Sequence, residues 1–505
     1  MRQGHGLSDA GDSGNTYSDP MTRRRLVSLP PFLLAAGLVA SPLAPVATAA
    51  AAEAQGQAVQ AQGTVIAAYS LVAPRSVAKS QLLARVITTG GPCPTLVVKK
   101  QSNKTKTLAM TLRPRPANTD PYFTGVAVCD RKLPKNTKKA KAGGRKVPAA
   151  LPENVRRMAL FADTGCRISE YKGNYEIQNC NQPSNPTRGW PLNQIAKSIA
   201  ADKPDVILNP GDYFYREANC PTWKFTWAAA ACGGSPTVPT SAYPFTDSAA
   251  GWRADVFTPM APLFPVAPIA MLRGNHEACF RAGNGFFYFL DPRPGTSGTC
   301  APTIAGGKRR APDNATTPTW SASLDLIRGR TLKIAMVDSA YGNDTAIDSW
   351  ANIQRPTYQA AANQTQPGTN QEAWLLTHRP IIGHTSSWIS ADQTAASKGL
   401  LGNYNLILSS HIHVVQGVKI PGLPPSLVMG NGGTSLDRNP GKMTKPLRSG
   451  ATTYPNATTD WSASKWGYAI ATAGKSQKTW TITQKSQSGT PFAACRLQQR
   501  AMTCS

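Results

Sequence analysis

The sequence predicts a layered α/β domain preceded by a small all-β module, and three observations carry that prediction. Short β-prone runs fill residues 64–130, continuous apolar runs of four to six residues recur after Leu151, and several of those later runs end in Asp, Asn or His. The chain has 505 residues, too many for one ordinary domain, and 41% are hydrophobic, enough for a substantial core.

Residues 1–50 read as an export signal region, with Met21 as a candidate start. Arg23-Arg24-Arg25 precedes an apolar stretch from Leu26 to about Val46, and Ala47-Thr48-Ala49-Ala50-Ala51 supplies an A-x-A-like end. The arginine pair ahead of Leu26 fits a twin-arginine route. Pro30, Pro31, Pro42 and Pro45 suit a spanning helix poorly, so the mature chain is expected to be periplasmic or secreted, without a transmembrane span. Ten cysteines, all beyond the cleavage site, agree with an oxidising compartment. They fall into near neighbours, Cys93 and Cys129, Cys166 and Cys180, Cys220 and Cys232, Cys279 and Cys300, Cys495 and Cys504, with no Cys-x-x-Cys spacing; sequential disulfides are the expectation.

The small β module is assigned to residues 51–131. An Ala/Gln-rich lead, 51–62, is followed by Val65-Ile66, Val86-Ile87-Thr88, Leu96-Val97-Val98 and Val126-Ala127-Val128, separated by Pro/Gly/Asn turns. Residues 132–150, rich in Lys, Gly and Pro, read as a basic linker or mobile loop. The net charge of +27 is concentrated here: residues 54–150 hold 17 Lys/Arg against Asp120 and Asp130. Such a surface favours anionic partners, with nucleic acid or an anionic envelope as candidates. The absence of interleaved aromatics tips the balance toward a basic exported protein with no dedicated polyanion site.

Residues 151–505 form the larger domain. Met158-Ala-Leu-Phe-Ala precedes Asp163; Val206-Ile-Leu-Asn-Pro precedes Gly211-Asp212; Pro268-Ile-Ala-Met-Leu leads to Gly274-Asn275-His276. Trp374-Leu-Leu and Leu406-Ile-Leu lead to His378 and His411. Continuous apolar runs suit strands buried on both faces. Leu192, Ile195 and Ile199 lie at helical spacing between the first two, predicting a strand–helix–strand unit. Polar residues at the carboxyl ends of such strands stand where open α/β sheets place their active sites. Carboxylate, amide and imidazole together suit Zn, Fe or Mn rather than a thiolate site. There is no Gly-x-Ser-x-Gly and no Cys-x5-Arg, so no nucleophilic serine or cysteine motif competes.

Asp163-x-Gly165, Gly211-Asp212-x-x-Tyr215, Gly274-Asn275-His276-Glu277, His378 and His411-x-His413 follow one another in the order typical of calcineurin-like metallophosphoesterases. The set resembles the purple-acid-phosphatase branch most. That resemblance implies a four-layer α/β/β/α sandwich for 151–505. It implies two metal ions, Fe3+ with Fe2+, Zn2+ or Mn2+, the first held by Asp163, Tyr215 and His413 and the second by Asn275, His378 and His411. Asp212 would bridge them, and His276 would bond to substrate oxygen and help protonate the leaving group. The implied reaction is hydrolysis of phosphate esters, with monoesters expected, by a metal-bound hydroxide. Two cations a few ångströms apart can clamp a phosphoryl group and neutralise the charge of an in-line displacement.

The sequence departs from the common pattern at two points. Gly165 stands where many relatives carry a histidine, leaving Tyr215 as the replacement ligand, with Tyr213 a competing phenol. Ser410 precedes His411 where glycine is usual. Glu277 either orients His276 or sits in a turn, Arg216-Glu217 reads as an internal ion pair, and His384 as a surface or supporting residue outside the ligand set. Gly430-Asn431-Gly432-Gly433 reads as a tight turn, since no Lys-Ser/Thr follows it. The segments around Trp466 and Trp480 are expected to complete the second sheet. Two rival functions remain: a phosphodiesterase acting on nucleic acid or phospholipid head groups, and a non-catalytic envelope-binding protein on a phosphatase scaffold.

Overall fold

The apolar runs become strands of two large sheets that share one core. The structure is a computed structural model, and it describes residues 63–116, 122–171, 174–182, 188–218, 247–293, 300, 316–366, 368–385, 390–443, 445–450, 452–476 and 478–505. The export region, residues 51–62 and the Cys220–Cys232 pair lie outside the described residues.

The larger sheet has eleven strands, in the order Ala501–Cys504, Pro491–Gln498, Thr479–Ser486, Gly467–Ala473, Arg157–Leu160, Val206–Asn209, Ile269–Met271, Val65–Val72, Leu82–Thr88, Ala127–Lys132 and Thr111–Leu112. The second has seven, in the order Trp320–Leu326, Arg330–Val337, Gln371–Thr377, Leu406–Ser409, Ser426–Met429, Val415–Lys419 and Thr458–Ala463. The site-bearing strands of each sheet lie parallel to one another, so their carboxyl ends share one edge.

Alternation along each strand builds the layers. Met158, Leu160, Leu208 and Ala270 face Ile334, Met336, Trp374 and Leu408 in a core between the sheets. Ala159, Ile207 and Ile269 point the other way, onto Leu192, Ile195 and Ile199 of the helix Leu192–Asp202. On the far side Ala335, Leu375 and Ile407 pack with Tyr358 and Ala361 of the helix Ser349–Gln364 and with Ala396 of the helix Ala391–Ser397. This is the expected α/β/β/α order. The helix Leu192–Asp202 joins two adjacent parallel strands, Arg157–Leu160 and Val206–Asn209, as its apolar spacing predicts.

The N-terminal region is β-rich, but its strands divide. Val65–Val72, Leu82–Thr88, Thr111–Leu112 and Ala127–Lys132 extend the larger sheet. Thr105–Ala109, Thr95–Lys100, Thr137–Ala142 and Arg145–Val147 form a four-stranded sheet of their own. The reading of 132–150 as a linker is therefore corrected: it carries two strands joined at Gly143-Gly144, both with positive φ. Its lysines hid a period-two pattern in which Ala140 and Ala142 point inward between exposed lysines, with Thr137 also buried beyond a shift in register. The terminal strands Gly467–Ala473 and Thr479–Ser486 join the sheet containing Arg157–Leu160, not the second sheet.

The pairs Cys93–Cys129, Cys166–Cys180, Cys279–Cys300 and Cys495–Cys504 are disulfides. Among the described residues no helix is long and apolar enough to cross a membrane.

Candidate metal centre

Each ligand block leaves the carboxyl end of a strand and turns sharply. Asp163, Asp212 and His411 have φ of 56°, 58° and 73°, a left-handed region that non-glycine residues enter at a cost. Three such residues at one site mark it as a place where packing enforces side-chain direction against backbone preference.

The turns bring the sequence-predicted residues together in two overlapping groups. The Tyr215 hydroxyl lies 3.1 Å from Asp163 Oδ1, 2.8 Å from Asp212 Oδ2 and 3.0 Å from His413 Nε2. Asn275 Oδ1 lies 2.7 Å from His378 Nε2 and 2.8 Å from His411 Nδ1, and His378 Nε2 is 3.2 Å from Asp212 Oδ2. Ligand atoms of Asp163, Asp212 and His413 fall within 4.8 Å of one another, as do those of Asp212, His378 and His411. Asp212 belongs to both groups. Tyr213 stands apart, its hydroxyl bonded to the carbonyls of Asn209 and Leu272. His384 also stands apart and is buried rather than superficial, with Nε2 2.6 Å from Thr459 Oγ1.

Gly165 now has a physical reason. A Cβ at this position would meet Tyr213 O at 2.6 Å, Tyr215 N at 2.7 Å and Tyr215 Cδ2 at 2.8 Å. A histidine at 165 and the Tyr215 ring exclude each other. Gly430 is equally constrained, since a Cβ there would collide with Ile412 O and lie 3.1 Å from Asp163 Oδ2. The glycine-rich turn is thus packed against the site.

The electrostatics fit cations. Burial, then the Asp212 charge, push the Asp163 carboxyl well above the ordinary carboxylate range. For Asp212 burial also acts upward, but His378 and His276 outweigh it and hold the group well below that range. Two buried carboxylates and the lone pairs of three imidazoles converge here, and a cation between them relieves that repulsion. Asn275 gives an independent sign. With Oδ1 inward it faces only lone pairs, an arrangement that makes sense around a cation. With the amide turned over, Nδ2 donates to His378, Asp212 and His411 while the oxygen accepts from Arg281 Nη1 at 2.9 Å. The residues present therefore fit a metal centre, with the inward oxygen as the ligand-bearing state.

Several residues around this core were not read correctly from sequence. Glu277 is buried and accepts four backbone N–H groups, from Asp212, Tyr213, Phe214 and Gly274, at 2.8–3.1 Å. It ties two ligand loops together and does not orient His276. Glu217 does that, with Oε1 2.7 Å from His276 Nδ1 and 3.3 Å from Arg281 Nε. Arg216 instead bonds to Asp255, so the expected Arg216–Glu217 pair does not form. The His276 ring packs against Tyr215 with ring centroids 3.8 Å apart and the planes tilted by 33°. Burial, then Arg281, lower its pKa to about 4, with Glu217 opposing; a bound phosphate would act in Glu217's direction.

His411 Nε2 faces Asp344 Oδ2 at 3.0 Å, and Arg379 bonds to the same oxygen. The Ser410 hydroxyl reaches His378 Nδ1 at 2.9 Å, a second anchor for an imidazole, so the serine in the last block helps orient a ligand of another block. The run Ile334-Ala-Met-Val337 has the same pattern as the other blocks and ends in Asp338, which braces Arg273, next to Gly274-Asn275, at 2.8 Å; Asp344 follows in the loop beyond it.

Known proteins share this framework. Residues 158–415 match the family model described as calcineurin-like phosphoesterase. Among solved structures, purple acid phosphatase PPD1 from yellow lupin (Lupinus luteus) seeds superposes with a TM-score of 0.50 at 11% identity, over 88% of this chain and 74% of that one. PhoD superposes with a TM-score of 0.51 at 12% identity, over 87% and 91%. No curated protein matches the chain by sequence. The family match spans just over half of the residues and takes in every block of the site, and the chain belongs to the calcineurin-like phosphoesterase family, the metal-dependent hydrolases of phosphate esters.

Proposed function

We propose that the chain hydrolyses phosphate monoesters at a two-cation centre of the purple-acid-phosphatase kind. The observation that carries this reading is the sharing of Asp212 between two donor groups. Asp163, Tyr215 and His413 would hold one cation, Asn275, His378 and His411 the other, and Asp212 both. When bound, such a pair neutralises phosphoryl charge and makes a water nucleophilic at neutral pH. A phenolate oxygen at Tyr215 favours Fe3+ in the first position, with Fe2+, Zn2+ or Mn2+ in the second.

The chain's own groups do the rest. His276 lies beside the shared carboxylate, its Nε2 3.8 Å from Asp212 Oδ2. Glu217 holds Nδ1, which turns Nε2 toward the substrate and lets it pass a proton to the leaving oxygen. Tyr215, packed against the ring, limits its rotation.

Metal analysis with a visible spectrum tests the site: two ions per chain, one of them iron, with a broad phenolate band that disappears in Tyr215→Phe. Two zincs and no band would remove Tyr215 from the ligand set. Comparing mono- and bis-p-nitrophenyl phosphate tests the substrate class, and marked preference for the diester would reject the monoester reading.

A further inference from the structure

The four-stranded sheet near the N-terminus takes no part in the metal centre, yet its charge is one-sided. Its strands Thr95–Lys100, Thr105–Ala109, Thr137–Ala142 and Arg145–Val147 carry eight basic residues and no Asp or Glu. The inner face is apolar, with Leu96, Val98, Ala140, Ala142 and Val147 in the main core. The register fixes what lies on the other face. Lys99 is paired directly with Lys139, Val97 with Lys141, and Lys141 with Lys146. All four lysines are exposed, and Val97, which stands among them, is 37% exposed.

Like charges directly opposite on a sheet repel, with Cβ atoms about 5 Å apart. Lysine on an edge strand is a common guard against edge-to-edge pairing, which accounts for Lys106 and Lys146. It does not account for Lys99, Lys139 and Lys141, which lie on the two central strands of this sheet. Solubility needs charge on the surface, but not same-sign charge in register. An anionic partner turns that repulsion into attraction.

The shape of the face selects among partners. It is the open side of a sheet, and none of the four strands carries an aromatic residue on which a base could stack. Lysines rising from one plane around an exposed valine suit a flat array of negative head groups, with the apolar side chain reaching the interface. We propose that this lysine face docks the enzyme on an anionic phospholipid bilayer. The proposal does not depend on the chemistry of the metal centre. Its consequence is that the enzyme works on substrates at or near that surface.

The test is sedimentation of the full chain with vesicles of phosphatidylglycerol and phosphatidylcholine, beside phosphatidylcholine alone. The expected result is binding to the anionic vesicles only, falling with added salt. Lys99→Gln, Lys139→Gln, Lys141→Gln and Lys146→Gln combined should weaken it by nearly three orders of magnitude, at about fivefold per lysine near an anionic surface. Circular dichroism and the thermal unfolding midpoint report that the variant is folded. A control removes the same charge from exposed positions elsewhere, Arg156, Lys203, Lys398 and Lys475, and should retain most of the binding. Equal loss in both variants would mean net charge alone and would overturn the proposal. So would equal binding to neutral vesicles, no binding to anionic ones, or tighter retention on duplex DNA than on vesicles at the same salt.

Discussion

Replacing Glu277 by glutamine should loosen the metal centre from beneath, without touching a ligand. The Glu277 carboxylate accepts Tyr213 N and Phe214 N on one oxygen, and Asp212 N and Gly274 N on the other. A carboxamide keeps one oxygen and presents an NH2 group to the remaining two amides, whichever way it turns. Two hydrogen bonds to a charged acceptor are lost, each contributing about 1.5–3 kcal/mol, so the destabilisation should be about 3–6 kcal/mol. That is a large part of the roughly 5–15 kcal/mol that holds a typical domain folded. Because the freed amides belong to the loops carrying Asp212 and Asn275, metal retention should fall as well. Urea denaturation gives the first quantity and metal content after gel filtration the second. A variant with an unchanged midpoint and slope and a full metal complement would refute the assignment of Glu277 as the tie between the loops.

Four further outcomes follow from the same geometry. Gly165→Ala should displace Tyr215, because its Cβ has no space beside the Tyr215 backbone and ring; the measurement is loss of the phenolate band together with lower thermal stability. Glu217→Gln should lower kcat by about 10- to 100-fold for esters with poor leaving groups while changing p-nitrophenyl phosphate hydrolysis little, because only the former need a proton from a well-oriented His276. An equal loss for both substrate types would argue for a merely structural Glu217. Asp344→Asn should weaken metal binding by about 10- to 100-fold, the usual effect of losing a carboxylate behind a ligating histidine, read as loss of one ion per chain under dialysis. Chelation should lower the unfolding midpoint of the wild-type chain, since it leaves Asp163 and Asp212 buried side by side; an unchanged midpoint would speak against a resident cation.

Much of the site was legible because its residues follow a local rule. A run such as Val206-Ile-Leu must be a buried strand, and the polar residue that ends it must lie at the sheet's edge. The two carboxylates, the asparagine and the three histidines were found in this way, and the family pattern supplied Tyr215. The linker reading of 132–150 failed for the opposite reason. There the alternation is between lysine and alanine, and composition concealed the period. The terminal strands were assigned to the wrong sheet because strand propensity does not encode which partner a strand pairs with.

The sequence by itself therefore determined the buried strands of a layered α/β domain and the order of the ligand blocks, since both depend on periodicity and on residues adjacent in the chain; the α/β/β/α order was implied by the family resemblance. Only the tertiary structure decided what each carboxylate does. Glu217 reaches His276 from 59 residues away, Asp344 reaches His411 from 67, and Glu277 reaches Asp212 from 65. A carboxylate's role depends on which amide or imidazole meets it, and those groups arrive from turns far along the chain. The left-handed backbone at Asp163, Asp212 and His411 is likewise set by the packing of other strands. No local preference of aspartate or histidine would choose that conformation, so it appears only where the surrounding fold holds it in place.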